Sequence, residues 1–405
     1  MRLVQKSFLV RRRWDRYLTW IGGAGLPLRH GLTTFAAIVF ALIGIYLVAV
    51  RHRSTRLASH AFLSFAVAYL VFSITLAVVR GEFFVGNRQI TYSLLIGAFA
   101  FISHGMVLVR DPLRYFVLGA RAGTIAVAAI ALWLGVDELP RFGMDGNPAP
   151  FAMVAAIGMI AAIVPLRDAP RWAPNSIIYV AFGSVSIFAS QTRAVLVVVP
   201  IILIVEWIVW LRRRSVRSQA TGVLAGTAAL LLVVSFGPVH TMISERFVPV
   251  FEYFAGDTAA WGESQTADLR LSMWQGAARA VAEKPLTGHG EGRMERVVEL
   301  APVLQPQLQV FEHVHNIVLD EMLHHGLIGL MLLGGVVVSG TGHVLRHADD
   351  QALQRNVVYV LLVLAAYGML HNPMLHETTI AAFFFYLGTT IAHVSRRRMA
   401  ARRAL

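Results

Sequence analysis

The sequence predicts an all-α polytopic membrane protein of about twelve transmembrane helices with a long, partly helical external loop. Three observations predict it. Of 405 residues, 56% are hydrophobic and only 15% charged, with mean hydropathy +0.61; a soluble domain is roughly 45–50% apolar and about 25% charged. Apolar runs long enough to cross a bilayer recur along most of the chain. Basic residues cluster in the short segments between those runs. A soluble globular enzyme, a disordered chain and a fibrous repeat are excluded. With no cysteine there is no disulfide framework, thiolate nucleophile or Cys-ligated metal.

The net charge is +13, and of 36 basic residues only Lys6 and Lys284 are lysine. A basic balance can signal nucleic-acid binding. Here the charges alternate with apolar runs, so membrane topology explains them and no nucleic acid is implied.

A helix needs about 20 apolar residues to cross the hydrocarbon core. Spans read at 31–50, 57–79, 90–109, 115–136, 150–166, 175–190, 194–211, 220–239, 323–345, 357–371 and 379–395. The basic N-terminus (Arg11, Arg12, Arg13, Arg16) and C-terminus (Arg396, Arg397, Arg398, Arg402, Arg403) both read as cytoplasmic, as do Arg51, Arg53 and Arg56. Eleven spans would separate the ends. A short further span at 14–28, with Arg16 snorkelling, restores agreement; the alternative is that 14–28 lies along the membrane. Twelve spans with both termini cytoplasmic put 24 basic residues inside and 11 outside, with Arg121 within a span. The amino end lacks a small-residue cleavage site after an apolar region, so it does not read as a removable signal peptide.

The chain then divides into an N-terminal bundle at 1–239 with about nine spans, an external loop at 240–315, and a C-terminal bundle at 316–405 with about three. The loop carries ten acidic and six basic residues. A structureless loop of that length would be unusual. Leu271 to Ala282 reads as a helix, with Met273, Trp274, Ala277, Ala278 and Val281 near helical spacing and Pro285-Leu286-Thr287-Gly288 ending it.

Three external sites carry candidate chemistry. Ser190-Gln191-Thr192-Arg193 is a short polar turn that sets an arginine at the membrane surface. Arg193 either snorkels to headgroups or forks onto phosphate oxygens. Arg270 falls near the start of the loop helix, where its charge opposes the macrodipole. It either binds an anion there or pairs with Asp268 or Glu263. The turn Lys284 to Gly290 follows, and its His289 reads as structural or as a site residue. At the end of the loop stands His313-Val314-His315-Asn316. A histidine with pKa near neutrality can take a hydroxyl proton, or merely cap and pack. A metal is not expected, because no HExxH or DxD pattern accompanies the pair. Gly326 and Gly329 read as close-packing residues of a membrane helix.

Ionisable residues inside spans mark cavities or partners. Glu206 lies mid-span and would be the centre of a transporter; Asp320 and Glu321 follow the histidines near the interface; His104 and Arg121 are candidates for buried pairing.

Together the external sites offer two arginines and a histidine beside the lipid surface, which suits a lipid-linked anionic substrate. The run His315-Asn316, nine residues, Gly326-Leu327-Ile328-Gly329 resembles the signature of bacterial O-antigen ligases, in a superfamily with O-antigen polymerases and protein O-oligosaccharyltransferases. Arg270 to Trp274, Pro285 to Gly290 and, loosely, Ser190 to Arg193 resemble that family's other motifs. The resemblance implies a GT-C-like helical fold in the bacterial inner membrane, with the active site facing the periplasm. It implies an inverting, metal-independent glycosyltransferase of lipopolysaccharide biosynthesis without cofactor. The donor would be O-antigen on undecaprenyl pyrophosphate, and the acceptor lipid A–core oligosaccharide. Carried over, His315 is catalytic and Arg193 and Arg270 bind the diphosphate. His313, Asn316, Gln191, Lys284 and His289 are supporting residues.

The rivals are an O-antigen polymerase, which uses the same donor on both sides, and a protein O-oligosaccharyltransferase, which would run longer after the histidine motif. A polysaccharide or lipid-linked sugar transporter, centred on Glu206, is the rival from another class.

Overall fold

The computed structural model describes residues 14–52, 59–84, 87–134, 142–144, 146–166, 176–212, 265–302 and 311–404. Among these the elements are helical and none is a strand. In chain order they are α1 (Trp14–Leu28), α2 (His30–Ala49), α3 (His60–Val79), α4 (Arg88–Phe99), α5 (Ile102–Met106), α6 (Pro112–Trp133), α7 (Pro148–Ala162) and α8 (Ser176–Ser190). Then follow α9 (Arg193–Leu196), α10 (Val198–Leu211), α11 (Gln265–Glu283), α12 (Arg293–Leu300), α13 (Ile317–His347), α14 (Gln351–Leu370) and α15 (Glu377–Ala404). Short 3₁₀ helices lie at Gly290–Gly292 and Pro373–Leu375.

Six described helices are long and apolar enough to cross a membrane: α2 from Gly31, α3, α6, α13, α14 and α15. The chain is therefore a polytopic membrane protein. α7 and α8 are apolar but shorter. The fuller number, about twelve, is the sequence's expectation, and its 220–239 member lies outside the described residues. Two expected spans are broken: 90–109 is divided between α4 and α5, and 194–211 between α9 and α10.

The core is built around α7 and α15. Fourteen of the fifteen residues of α7 are buried. α15 runs through the middle, packed against α2, α4, α5, α6, α7 and α13. Residues 14–28 form α1, which packs along α6. Small residues permit the approach. A Cβ on Gly119 would lie 2.0 Å from the Trp20 carbonyl, and one on Gly123 2.4 Å from that of Ala24. The register rises along both helices, so they run parallel. This is the small-residue packing by which membrane helices gain dispersion contacts where no hydrophobic force separates them from lipid.

Charges inside the bundle are partnered. Arg121 of α6 donates to the Ala162 and Val164 carbonyls at 3.0 and 3.1 Å and lies 4.8 Å over the Tyr179 ring. It caps the C-terminal carbonyls of α7, which have no intrahelical donor. Glu206 accepts from Arg355 at 3.3 Å and Tyr359 at 2.9 Å. That bond joins α10 to α14.

Within the segment expected to form the external loop, α11 packs against α13. α11 buries Met273, Ala277 and Ala280 along one face, against Val297 of α12, Val314 and Leu323. The spacing i, i+4, i+7 gives the apolar stripe. Each large apolar side chain so removed from water contributes about 1.5–3 kcal/mol. α11 begins at Gln265 rather than near Leu271. Arg270 is thus in the second turn, beyond the reach of the terminal dipole; the expectation of a helix-end anion site at Arg270 is corrected. α12 was not expected from the sequence.

Candidate functional site

Asn316 is the N-cap of α13: its Oδ1 accepts from the amides of Val318 and Leu319 at 3.0 and 3.1 Å. Its Nδ2 donates to the Met369 carbonyl at 3.4 Å, tying the cap to α14. An Asn side chain in this position satisfies donors the helix cannot. Just ahead, Val314 is held on three sides. Its amide donates to Asp320 Oδ1 at 2.9 Å, its carbonyl accepts from Trp274 Nε1 at 2.8 Å, and its side chain is wholly buried. His315 takes φ +55°, the left-handed region in which His is tolerated but uncommon.

With Val314 clamped, the flanking histidines come together. The rings of His313 and His315 are 4.2 Å apart. His371 lies 5.7 Å from His315, and His376 lies 6.5 Å from His313. Phe311 meets the His315 ring edge-on at 5.4 Å, and Tyr367 stacks on His371 at 4.8 Å. Burial, with the neighbouring charges of Arg270, His371 and His376, pushes the His315 imidazole down to about 4. Burial and then His315, His376, Arg293 and Arg270 push His313 down to about 3. Burial lowers His376 as well. His313 and His315 are therefore neutral at neutral pH, and each can accept a proton. Nδ1 of His315 is buried and has no hydrogen-bond partner among the described residues. Among the described residues no three His, Asp or Glu side chains form a metal-ligand set.

Arg270 bears electrostatically on both His313 and His315. Burial lowers its own pKa, and it has no ion pair among the described residues. Glu263 and the side chain of Asp268 lie outside those residues. Arg193 opens α9, which packs against α14, the helix that ends at His371. Gln191 takes φ +54° in the turn before it. Lys284 is exposed at the end of α11. His289 Nε2 is 2.7 Å from the Ala280 carbonyl and its amide donates to the Leu323 carbonyl, so it fastens the turn between α11 and α13.

That turn matches a break in α13. Gly326 has φ 70° and ψ −167°, which interrupts the helical ladder. Leu327 and Ile328 donate instead to the Pro285 and Leu286 carbonyls at 2.8 and 3.3 Å. Arg80, the C-cap of α3, donates to the carbonyls of His324, Thr287 and Gly288. Gly326 is therefore a close-packing residue, as expected, and the neighbour it packs against is the backbone of the loop turn at a break in the helix.

Beside the histidines opens a cleft of about 460 Å³. Its walls are Phe84, Asn87, Arg88, Gln89 and Tyr92 on one side, and Glu291, Arg293, Met294, Glu312 and His313 on the other, with Leu375 and His376 at the end. His313 lines it and His315 stands behind. Arg88 and Glu312 bridge it at 2.8 Å. Arg293 is buried, donates to the Gly290 and Glu312 carbonyls at 3.4 and 3.2 Å, and shares a small inner cavity with Asp320, Glu321 and His324. Asp320 and Glu321 are buried within the protein. Glu321 accepts from Tyr69 at 3.1 Å and pairs with His325 at 2.8 Å; His325 meets Ser73 at 2.9 Å.

His371, His376, Arg80, Arg88 and Arg293 escaped sequence reasoning. Two histidines within the short external segment 371–377 were a usable signal, since topology sets it on the same face as His315. The arginines gave none beyond their place in external segments.

Residues 178–334 match the family model described as O-antigen ligase. The matched segment holds Arg193, Arg270, His313, His315 and Gly326, and leaves Arg80, Tyr92, His371 and His376 outside. No curated protein matches the chain.

Proposed function

We propose, from the match of residues 178–334 to the O-antigen ligase family model, that the chain is an inner-membrane glycosyltransferase of lipopolysaccharide biosynthesis. It transfers O-antigen polysaccharide from undecaprenyl pyrophosphate to lipid A–core oligosaccharide at the periplasmic face, with inversion and without a metal. The observation that carries the reading is a neutral, half-buried histidine beside an arginine that has no carboxylate among the described residues, both within the matched segment.

The chemistry follows from those two groups. Arg270 and Arg193 bind the diphosphate of the donor, as guanidinium forks suit phosphate oxygens. Burial is the main cause of the lowered His315 pKa, and a bound dianion would offset the further lowering by neighbouring positive charge, so the pKa rises toward the range useful to a base. His315 takes the proton of the acceptor hydroxyl. The hydroxyl oxygen attacks the anomeric carbon from the face opposite the diphosphate. The carbon–oxygen bond to phosphate breaks, and undecaprenyl pyrophosphate leaves with its charge held by the arginines. Glu206, the centre of the transport alternative, is engaged with Arg355 and Tyr359.

The test is transfer by purified protein in detergent with excess chelator, read as a polysaccharide ladder on the core. His315→Ala should lose at least about 100-fold, the contribution of a general base. Near-normal ligation by that variant would sink the assignment. Longer donor chains with unmodified core would make the protein a polymerase.

A further inference from the structure

The cleft between α4 and the loop contains both charge signs in balance. Arg88 is 2.8 Å from Glu312. Arg293 faces Asp320 across the inner cavity and donates to two carbonyls. Glu291 adds a second carboxylate, while His313 and His376 are neutral. The arginines that line it are thus already compensated, and a phosphate placed there would meet Glu291 and Glu312. A sugar hydroxyl would meet a different surface. The carboxylates accept from it, Gln89 can do either, and Tyr92 and Phe84 offer rings for the apolar face of a pyranose. A volume of about 460 Å³ is within the ordinary range of ligand sites. The cleft ends at His313, whose ring lies 4.2 Å from that of His315.

We propose that this cleft is the acceptor subsite and that it selects an uncharged terminal sugar over a phosphorylated one. The inference rests on the ligase reading above. Tyr92 and Glu291 hold the ring, and the Arg88–Glu312 pair sets the charge selectivity at the mouth. A hydroxyl seated at the His313 end stands next to the proposed base.

The experiment measures binding of three probes to the purified full-length protein: soluble core oligosaccharide ending in a neutral hexose, the same oligosaccharide with a phosphate on that hexose, and undecaprenyl pyrophosphate. The neutral oligosaccharide should bind about tenfold more tightly than the phosphorylated one, the scale of one charged contact. Tyr92→Ala should weaken the neutral oligosaccharide about tenfold and leave undecaprenyl pyrophosphate unaffected. Glu312→Gln, an exposed change that frees Arg88, should narrow the gap by improving the phosphorylated probe. Equal or tighter binding of the phosphorylated probe by wild type overturns the proposal, as does a gap unmoved by Glu312→Gln. If Tyr92→Ala loses undecaprenyl pyrophosphate instead, the cleft belongs to the donor; this proposal falls while the ligase reading stands. If wild type binds undecaprenyl pyrophosphate but neither oligosaccharide, the ligase reading falls and takes the subsite with it.

Discussion

Gly326 of α13 and Leu286 of the loop turn meet backbone to backbone. A Cβ on Gly326 would lie 2.2 Å from the Leu286 carbonyl carbon and oxygen. The contact joins the helix that begins at the histidine cluster to the turn that ends α11. It links two sequence motifs forty residues apart, Pro285 to Gly290 and Gly326 to Gly329, as the two halves of one joint. The helix is broken so that its free amides at Leu327 and Ile328 can bond to the loop.

Gly326→Ala should therefore undock the loop. The φ and ψ of this residue are open essentially to glycine alone, at a cost of order 1–3 kcal/mol for other residues, before the clash is counted. Hydrogen exchange at residues 284–291 should rise and transfer should fall, with the protein still in the membrane. Unchanged exchange at the turn would show that the joint does not hold the loop.

Arg80→Ala should have a related effect from the other side of the joint. Three carbonyls, of His324, Thr287 and Gly288, lose a charged donor, each bond being worth roughly 1.5–3 kcal/mol. Arg80→Lys keeps the charge but not the fork, so it should rescue only in part. The check is thermal unfolding in detergent of all three proteins. Full rescue by lysine would mean that charge, and not geometry, matters there.

Arg293 and Asp320 should be energetically coupled. Asp320 Oδ2 is buried without a hydrogen-bond partner, and Arg293 is the cation across the inner cavity. Arg293→Ala removes a positive charge that favours the buried carboxylate, so it should destabilise the protein. The double variant Arg293→Ala, Asp320→Asn should be destabilised by less than the two single changes added together. Additive losses in the unfolding midpoints would count against the coupling.

Acid should weaken the site in a defined window. His313 and His315 bind protons at about pH 3 and about 4 in the folded protein, against an ordinary value of 6.5. Between pH 6.5 and 4 the unfolded chain holds more protons, so stability is fully present above 6.5 and falls as pH drops. The slope is at most about 1.4 kcal/mol per pH unit for each group. Unfolding midpoints of wild type and His313→Gln at pH 7, 5.5 and 4.5 test this. The variant should lose less on acidification, and equal losses would exclude His313 as a source.

Much of the candidate site was legible because its residues announce themselves locally. His315-Asn316 and the glycines at fixed spacing form a pattern, and Asn316 proves to be a helix cap, a role readable from residue type. Arg270 stood out by charge in a half-apolar helix. The placement of that helix was misjudged because Gln265, Thr266 and Asp268 are polar and the apolar stripe starts only at Leu269, so the first turn gave no amphipathic signal. α12 was overlooked for its length: eight residues seldom register as a period.

By itself the sequence determined that this chain lives in a membrane, since its apolar content can be buried only in lipid and in helix contacts. It also gave an expectation of which face carries the chemistry, since arginine placement follows topology, and of which histidine motif to suspect. The tertiary structure alone decided the company that motif keeps. His371 and His376 come from another segment, Arg80, Arg88 and Tyr92 from the first third of the chain, and Arg293 from a helix too short to foresee. Such contacts are set by the close packing of helices and by buried polar groups seeking partners, and neither leaves a local trace in the residues that satisfy it.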